Sequence, residues 1–141
     1  MVVSDELFQL IRSLTRSEKR HFKIFASKHV IGEENNYILL FDAIEKQGVY
    51  DEKAILKKFS GHSFATRISS EKVYLYKLIM KSLRAYHASM SLDAEVKAML
   101  LEVEILFRKG LLRQCRKILL KAKQLSYEND LVVHMLEINR W

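Results

Sequence analysis

Apolar side chains recur at steps of three and four along most of the chain, which is the spacing of one face of an α-helix. The pattern is clearest in two successive segments, 92–109 and 111–125. The stripe of the first segment is Leu92, Val96, Met99, Leu100, Val103, Leu106 and Phe107. The stripe of the second is Leu111, Leu112, Cys115, Ile118, Leu119, Ala122 and Leu125. Gly110 between them predicts a helix C-cap, and so short a connection predicts antiparallel neighbours.

Two further features belong to the same part of the chain. Leu101 and Ile105 form a second, narrower apolar row, which predicts that the first of these helices packs against neighbours on two sides. Asn129 or Asp130 is a candidate N-cap for a third helix, since both side chains accept hydrogen bonds from exposed amides.

The N-terminal part reads as several shorter helices and one long one. We expect helices over 5–14, 15–28, 37–47 and 52–59, with a turn at 32–36 and a reciprocal capping box between Thr15 and Glu18. Asp51 is expected to cap the fourth helix. The long helix should run over 71–90. Its predicted core row is Val73, Tyr76, Ile79 or Met80, Leu83, Tyr86 or His87, and Met90.

Composition supports an all-α fold. The 141 residues include no proline and four glycines, each of which falls at a proposed helix end. With 49% hydrophobic and 29% charged residues, the chain has an ordinary globular composition. We predict an N-terminal helical unit at 1–90 and an antiparallel helix pair, followed by the first helix of a further repeat, at 91–141.

The C-terminal segment carries an internal echo. Met135-Leu136-Glu137-Ile138-Asn139 repeats the pattern of Leu100-Leu101-Glu102-Val103-Glu104, offset by 35 positions, and such a period is typical of helical-pair repeats. With Gly110 at the turn, and with small, large and small residues at Cys115, Leu119 and Ala122, this segment resembles the tetratricopeptide repeat over about a third of the chain. The resemblance implies a protein–protein scaffold with a concave binding face and no intrinsic catalysis.

The segment also departs from that motif. Met99, Glu102, Val103 and Leu106 stand where the family has its Trp-Leu-Gly-Tyr set, and Tyr127 replaces the closing proline. The last helix has little polar surface for a terminal cap. Its apolar residues are Leu131, Val132, Val133, Met135, Leu136, Ile138 and Trp141. We therefore expect the front of a longer protein, rather than a chain closed by a capping helix, and an apolar edge that favours self-association.

A second resemblance concerns residues 7–90. Four segments are similar to the front end of uncharacterised bacterial proteins with helical repeats behind it: Leu14–Phe22, Leu40–Ile44, Tyr74–Lys77 and Ser82–His87. This resemblance implies a longer parent protein and no known activity, so no functional residue follows from it.

Charge indicates where a partner would bind. Of the formal net charge of +7, most lies in residues 49–90, which hold eight basic and three acidic side chains. Tyr74, Lys77, Lys81 and Arg84 line up on one face of the long helix. The helix at 111–124 is basic, whereas its neighbour at 92–107 is mostly acidic. The predicted partner-binding residues are Lys77, Lys81, Arg84, Arg113, Arg116, Lys117, Lys121, Met135 and Trp141.

These surfaces predict an acidic or amphipathic protein partner, attracted by charge and held by apolar burial. The alternative is nucleic-acid binding through the basic helix 71–90, whose lysines and arginine would contact phosphates.

Catalytic chemistry has little support in the sequence. Cys115 lies on an apolar stripe and is predicted to be a buried small side chain. The histidines form no metal-ligand pair with it, and no phosphate loop or nucleophile motif occurs. We expect no enzyme, no cofactor and no metal. No apolar run is long enough to span a bilayer, and Met1–Leu10 lacks the basic start of a secretory signal, which predicts a cytoplasmic protein without a membrane partner.

Overall fold

Helices make up most of the chain that the computed structural model describes, residues 4–29 and 35–141, and no strand occurs there. The helices are α1 (Ser4–Ser13), α2 (Arg16–His29), α3 (Asn36–Glu45), α4 (Glu52–Lys58), α5 (Ile68–His87), α6 (Leu92–Arg108), α7 (Leu112–Glu128) and α8 (Val132–Ile138). A short 3-10 helix at Ser63–Arg67 precedes α5. The predicted all-α class is therefore confirmed for these residues. The predicted turn at 32–36 lies mostly outside them.

The chain divides into two compact units, Met1–Arg84 and Ala85–Trp141. The division falls near the end of α5, six residues before the boundary that the sequence suggested. Each unit has its own hydrophobic core. Whether the two behave as independent domains stays a prediction.

The N-terminal unit begins with two helices joined by a capping box. The Thr15 backbone N–H donates to Glu18 Oε2 at 2.8 Å, and the Glu18 N–H donates to Thr15 Oγ1 at 3.2 Å. Both amides belong to the first turn of α2, where no helical carbonyl is available to them. The predicted capping box is thus confirmed. Asp51 likewise caps α4 as predicted, accepting from the Ala54 N–H at 3.1 Å.

The core of this unit is built around α3. The rings of Phe22 and Phe41 lie 4.7 Å apart between α2 and α3. Outside the core, Lys19 pairs with Glu45 and Lys23 with Asp42, both at 2.8 Å, so charge and apolar contact hold the same two helices together. The remaining buried apolar residues are Leu7, Ile11, Leu14, Ala26, Leu40, Ala43, Ile44, Ile55, Phe59, Leu75, Leu78 and Ile79.

In the C-terminal unit, two turns of the same form join three successive helices. Gly110 (φ +73°) ends α6, and the N–H of Leu111 donates to the Leu106 carbonyl at 3.0 Å. Asp130 (φ 53°) ends α7, and the N–H of Leu131 donates to the Ser126 carbonyl at 2.9 Å. A left-handed residue followed by this bond is the Schellman helix ending. The predicted C-cap at Gly110 is confirmed.

The N-cap expected near Asn129 is wrong. Leu131 stands at that position of α8, with no side-chain cap. Asn129 instead donates from Nδ2 to the Leu125 carbonyl, and Asp130 closes the preceding helix, so both residues end α7. A short polar side chain suits either role, because Asn and Asp tolerate the left-handed conformation better than most residues.

Helices α6, α7 and α8 share one small core. It consists of Val96, Met99, Leu100, Ala122 and Ile138, with Ile118, Leu119, Leu125 and Leu131 packed against it. The outer members of the predicted stripes, Leu92, Phe107, Leu111 and Leu112, are exposed. They lie at the helix ends, beyond the reach of this core. At those four positions the predicted stripe does not belong to the buried face.

The burial pattern repeats with the 35-residue offset. Met99 and His134 are both buried, Val103 and Ile138 are both buried, and Leu101 and Leu136 are both exposed. Burial differs at the pair Leu100 and Met135, since Leu100 is buried and Met135 is only half-buried.

Candidate interaction surfaces

Helix α5 presents the first predicted surface, Lys77, Lys81 and Arg84, hereafter the α5 row. All three side chains are exposed, and they follow one another at steps of four and three residues. Within the described part of the chain, none of them has a carboxylate within 4 Å. Their charge is therefore available to a partner.

The core row predicted for α5 is confirmed at Ile79 and is displaced by one position elsewhere. The buried residues are Lys72, Leu75, Leu78, Ile79 and Ser82, whereas Val73, Tyr76, Met80 and Leu83 are only partly buried and Met90 is exposed. A shift of one residue turns a helix by about 100°. The predicted row was the more apolar of the two, but the observed row includes two polar residues that find partners inside the unit.

Lys72 is the first of these polar residues. Its Nζ donates to Glu52 Oε1 at 2.6 Å and to the Tyr50 hydroxyl at 3.3 Å. Burial alone would lower the pKa of Lys72, but the hydrogen bonds to Glu52 and Tyr50 outweigh that effect and raise it. Lys72 is thus a charged group that serves the core of the N-terminal unit and adds little to the surface charge of α5.

Ser82 is the second, and it contacts α2. Its Oγ lies 2.9 Å from Nδ1 of His21, whose role the sequence did not suggest. The stripe Lys72–Leu75–Ile79–Ser82 also has helical spacing. Because burying a polar side chain is unfavourable unless it is hydrogen-bonded, the sequence favoured the more apolar predicted row. Only the hydrogen-bond partners of Lys72 and Ser82, which the sequence does not reveal, could have reversed that choice.

Tyr74 is aligned with the α5 row but engaged elsewhere. Its ring lies 4.6 Å from the ring of Tyr37 on α3. Burial, followed by a hydrogen bond to Glu71, raises the pKa of Tyr37 to about 12. This pair fixes Tyr74 against its own unit, although half of its surface remains exposed.

Helix α7 presents the second predicted surface, Arg113, Arg116, Lys117 and Lys121, hereafter the α7 row. All four side chains are exposed, and in the described chain none has a carboxylate within 4 Å. On α6, by contrast, Lys97 pairs with Asp93 and Arg108 with Glu104. The α7 row therefore carries uncompensated positive charge. The four basic side chains of this row spread over more than a quarter of the helix circumference, so they do not form a single line.

Cys115 lies on the opposite side of α7 and is buried as predicted. Its Sγ donates to the Val103 carbonyl at 3.4 Å. The thiol thus joins α7 to α6 inside the core.

Trp141 and Met135 are the predicted contacts of the C-terminal edge. The Trp141 ring is 48% exposed and meets Phe107 edge to face, with ring centres 5.6 Å apart. Met135 is only half-buried, and the more exposed apolar side chains of α8 are Val132, Val133 and Leu136. Sequence reasoning included those three in the apolar edge but did not select them as contacts.

A shallow groove of about 340 Å³ lies beside Trp141, between α7 and the end of α8. Its apolar lining includes Leu119, Leu120, Ile138 and Trp141, and its basic lining consists of Arg116 and Lys123. This groove brings one member of the α7 row together with one member of the C-terminal edge. It offers apolar contact and positive charge at one place.

His134 joins α8 to α6 through Asp93, a contact that the sequence did not predict. Nδ1 of His134 and Oγ of Ser126 are both buried without a hydrogen-bond partner in the described chain. Ser126 is fully buried and is not hydrogen-bonded to His134, so these three side chains do not form the relay that activates a serine nucleophile.

No group of three or more His, Cys, Asp or Glu side chains in the described residues is arranged to hold a metal ion. In the same residues, no helix combines the length and the apolar character needed to cross a bilayer.

Comparison with models of known protein families, with characterised proteins and with solved structures finds no match to this chain.

Proposed function

We propose that this chain is a non-catalytic, tetratricopeptide-like scaffold that binds an acidic, amphipathic helix of another protein. The observation that carries the proposal is the pair of exposed basic rows, which have no carboxylate partners among residues 4–29 and 35–141 and one of which adjoins an apolar groove. Uncompensated bases steer an acidic partner toward the surface, and apolar burial then holds it.

Two features of the C-terminal unit support the repeat architecture. The turns at Gly110 and Asp130 have the same backbone form, and they lie 20 residues apart. Several pairs of residues related by the 35-residue offset share their burial, as Val103 and Ile138 do. Successive helices built on the same turn, with the same face buried, are what a stacked helical array requires.

The groove beside Trp141 suits a helix that carries large apolar side chains on one face and acids beside them. Leu119, Leu120 and Trp141 would contact the apolar face, and Arg116 and Lys123 would contact the acids. Helix-in-groove recognition of this kind takes its affinity from a few apolar anchors and its specificity from flanking charges.

The test uses a synthetic helical peptide with leucines on one face and glutamates on both flanks, labelled for fluorescence anisotropy. A peptide of the same composition in scrambled order is the control. We expect micromolar binding of the amphipathic peptide only, weaker at higher salt because exposed charges are screened. Equal affinity for the scrambled peptide would contradict recognition of an amphipathic helix.

Variants assign the surface. The first variant changes the whole α7 row to glutamate: Arg113, Arg116, Lys117 and Lys121. It should lower the affinity for the peptide at least tenfold, with helicity unchanged by circular dichroism. Trp141→Ala should lower the affinity by a smaller factor. The matched set on α5 is Lys77→Glu, Lys81→Glu and Arg84→Glu, which tests the other row separately. If neither set changes binding, neither row is the contact surface.

Nucleic-acid binding through α5 remains the alternative, because the α5 row presents three basic side chains on a 20-residue helix, none of them ion-paired within the described residues. Tyr74 is held against Tyr37, which leaves that ring poorly placed to stack on a base. Anisotropy titrations with mixed-sequence DNA and RNA across a salt series test the alternative. Three phosphate contacts would give a slope of log K against log salt of about −3. Such a slope, abolished by the α5 variants, would favour nucleic acid over a protein partner.

A further inference from the structure

Helix α6 has an apolar outer row that its own unit does not cover. Leu101 is 58% exposed and Ile105 is 46% exposed, on the side of α6 away from Val96 and Val103. The sequence predicted that this row packs against a neighbouring helix. No helix of the C-terminal unit covers it, so the row stays available to another molecule.

Two carboxylates lie along one edge of this outer row. Glu95 and Glu102 lie seven residues apart, close to two helical turns, and therefore on the same side of α6. Neither has a basic side chain within 4 Å in the described chain, in contrast to Asp93 and Glu104, which pair with Lys97 and Arg108. One edge of the outer row thus carries unused negative charge, whereas the ion-paired Lys97 and Arg108 lie along its other edge.

Helix α7 carries the complementary arrangement. Leu112, Leu120 and Tyr127 are each at least half exposed on one side of α7. Arg116 and Lys123 lie among them, again seven residues apart, and neither pairs with a carboxylate in the described chain. Lys123 instead lies over the Tyr127 ring, 5.8 Å from its centre.

The two helices match in length, and the pairs of charges on them match in spacing and are opposite in sign. Both helices have 17 residues, and each presents exposed large apolar side chains with two unpaired charges at a spacing of seven. We propose that the partner of the α7 face is α6 of a second copy of this chain, with Glu95 and Glu102 of one copy beside Arg116 and Lys123 of the other. This inference rests on the proposed function, and it identifies the acidic, amphipathic helix of the partner as α6 of a second copy.

The geometry of this contact has a consequence for the assembly. The two faces are different surfaces, so each copy keeps a free α6 face and a free α7 face after pairing. Heterologous contacts of this kind extend into open chains or close into rings, and do not stop at a symmetric dimer. One helix pair is a small interface, so we expect association in the micromolar range that weakens with salt.

The test is sedimentation velocity on the whole chain over a concentration series at two salt concentrations. The wild-type mass should rise with protein concentration and fall with added salt. Two charge-reversed variants are compared with it, Arg116→Glu/Lys123→Glu and Glu95→Lys/Glu102→Lys. Each should be monomeric alone because its two faces repel, whereas an equimolar mixture should associate again. Lys53→Glu/Lys57→Glu makes the same change of charge on α4, outside both basic rows, and should associate as the wild type does.

Each other outcome overturns the inference. A monomeric wild type excludes the contact, and unchanged association of both reversed variants assigns it to another surface, such as the edge around Met135 and Trp141. Failure of the mixture to associate excludes the pairing of these four charges. Circular dichroism establishes that each variant is folded. Binding of the synthetic acidic peptide, measured on the same samples, separates the two proposals, because a monomer that still binds the peptide contradicts only the self-association.

Discussion

His134 Nε2 lies 2.5 Å from Oδ1 of Asp93, which ties the buried face of α8 to the first turn of α6. The other carboxylate oxygen, Oδ2, accepts from Lys97 Nζ at 2.6 Å. The hydrogen bond from Lys97, followed by that from His134, lowers the pKa of Asp93. A single exposed carboxylate thus serves both its own helix and a helix 40 residues further along the chain.

The lowered pKa of Asp93 predicts acid-dependent stability of the C-terminal unit. The folded state favours the ionised carboxylate, so the stabilisation is complete above its ordinary pKa of about 4 and is lost as the pH falls through the lower, folded value. Asp93→Asn should therefore lower the urea midpoint at pH 7, and the difference from the wild type should shrink at pH 3. Glu102→Gln, which removes an unpaired carboxylate from the same helix, is the control. A difference that is the same at both pH values would contradict this linkage.

The twin turns predict opposite responses to substitution. At Gly110 a Cβ would meet nothing within 4 Å, so only the left-handed backbone opposes a side chain there. Gly110→Ala should cost about 1–2 kcal/mol of unfolding free energy. Asp130→Gly should leave stability unchanged or raise it by up to ~1 kcal/mol, because glycine adopts this conformation without strain. Gly61→Ala, with equally open surroundings and no left-handed φ, is the control for chemical denaturation. A cost at Gly61 equal to that at Gly110 would refute the backbone explanation.

In the ion pair between Lys72 and Glu52 only the Lys72 side chain is buried, so removing either partner should have a different effect on stability. Glu52→Gln removes the charge partner and leaves the ammonium buried, so we expect a loss of about 1–3 kcal/mol. Lys72→Met fills the same space without a charge and should change stability by less than about 1 kcal/mol. Chemical denaturation of both variants tests the order. A larger loss in Lys72→Met would mean that the ion pair is itself strongly stabilising.

Adjacent leucines on α6 should differ sharply. Leu100 is buried in the small core, so Leu100→Ala should cost about 2–4 kcal/mol, whereas Leu101→Ala should change stability by no more than about 0.5 kcal/mol. Thermal melts at low protein concentration keep any self-association out of the comparison. Equal costs at the two positions would show that Leu101 is covered in solution.

Local rules predicted the local structure well. The capping box at Thr15, the cap at Asp51 and the left-handed turn at Gly110 each depend on residues within five positions of one another, and all three are present. The same rules failed near Asn129, because one residue type serves both the start of a helix and its end. The choice there depends on where the next apolar face is buried, which local spacing does not reveal.

The face that each helix buries was harder to predict than its position along the chain. On α5 the buried stripe is not the most apolar one, since it contains Lys72 and Ser82. Glu52 and His21, which are distant in sequence, supply hydrogen-bond partners for these two polar side chains. On α6 the outer row of Leu101 and Ile105 looked like a second buried face but is exposed. The exposed bases of the two rows were easier to predict, since long charged side chains seldom pack inside a core.

The burial of Lys72 also makes the amines of α5 chemically unequal. A buried ammonium that is hydrogen-bonded to a carboxylate and a phenol is slow to lose its proton and hard for a reagent to reach, whereas Lys77 and Lys81 meet solvent directly. Mild acylation of the folded chain would therefore modify the two outer lysines first. The extent of labelling at Lys72 would then report how often the N-terminal unit opens.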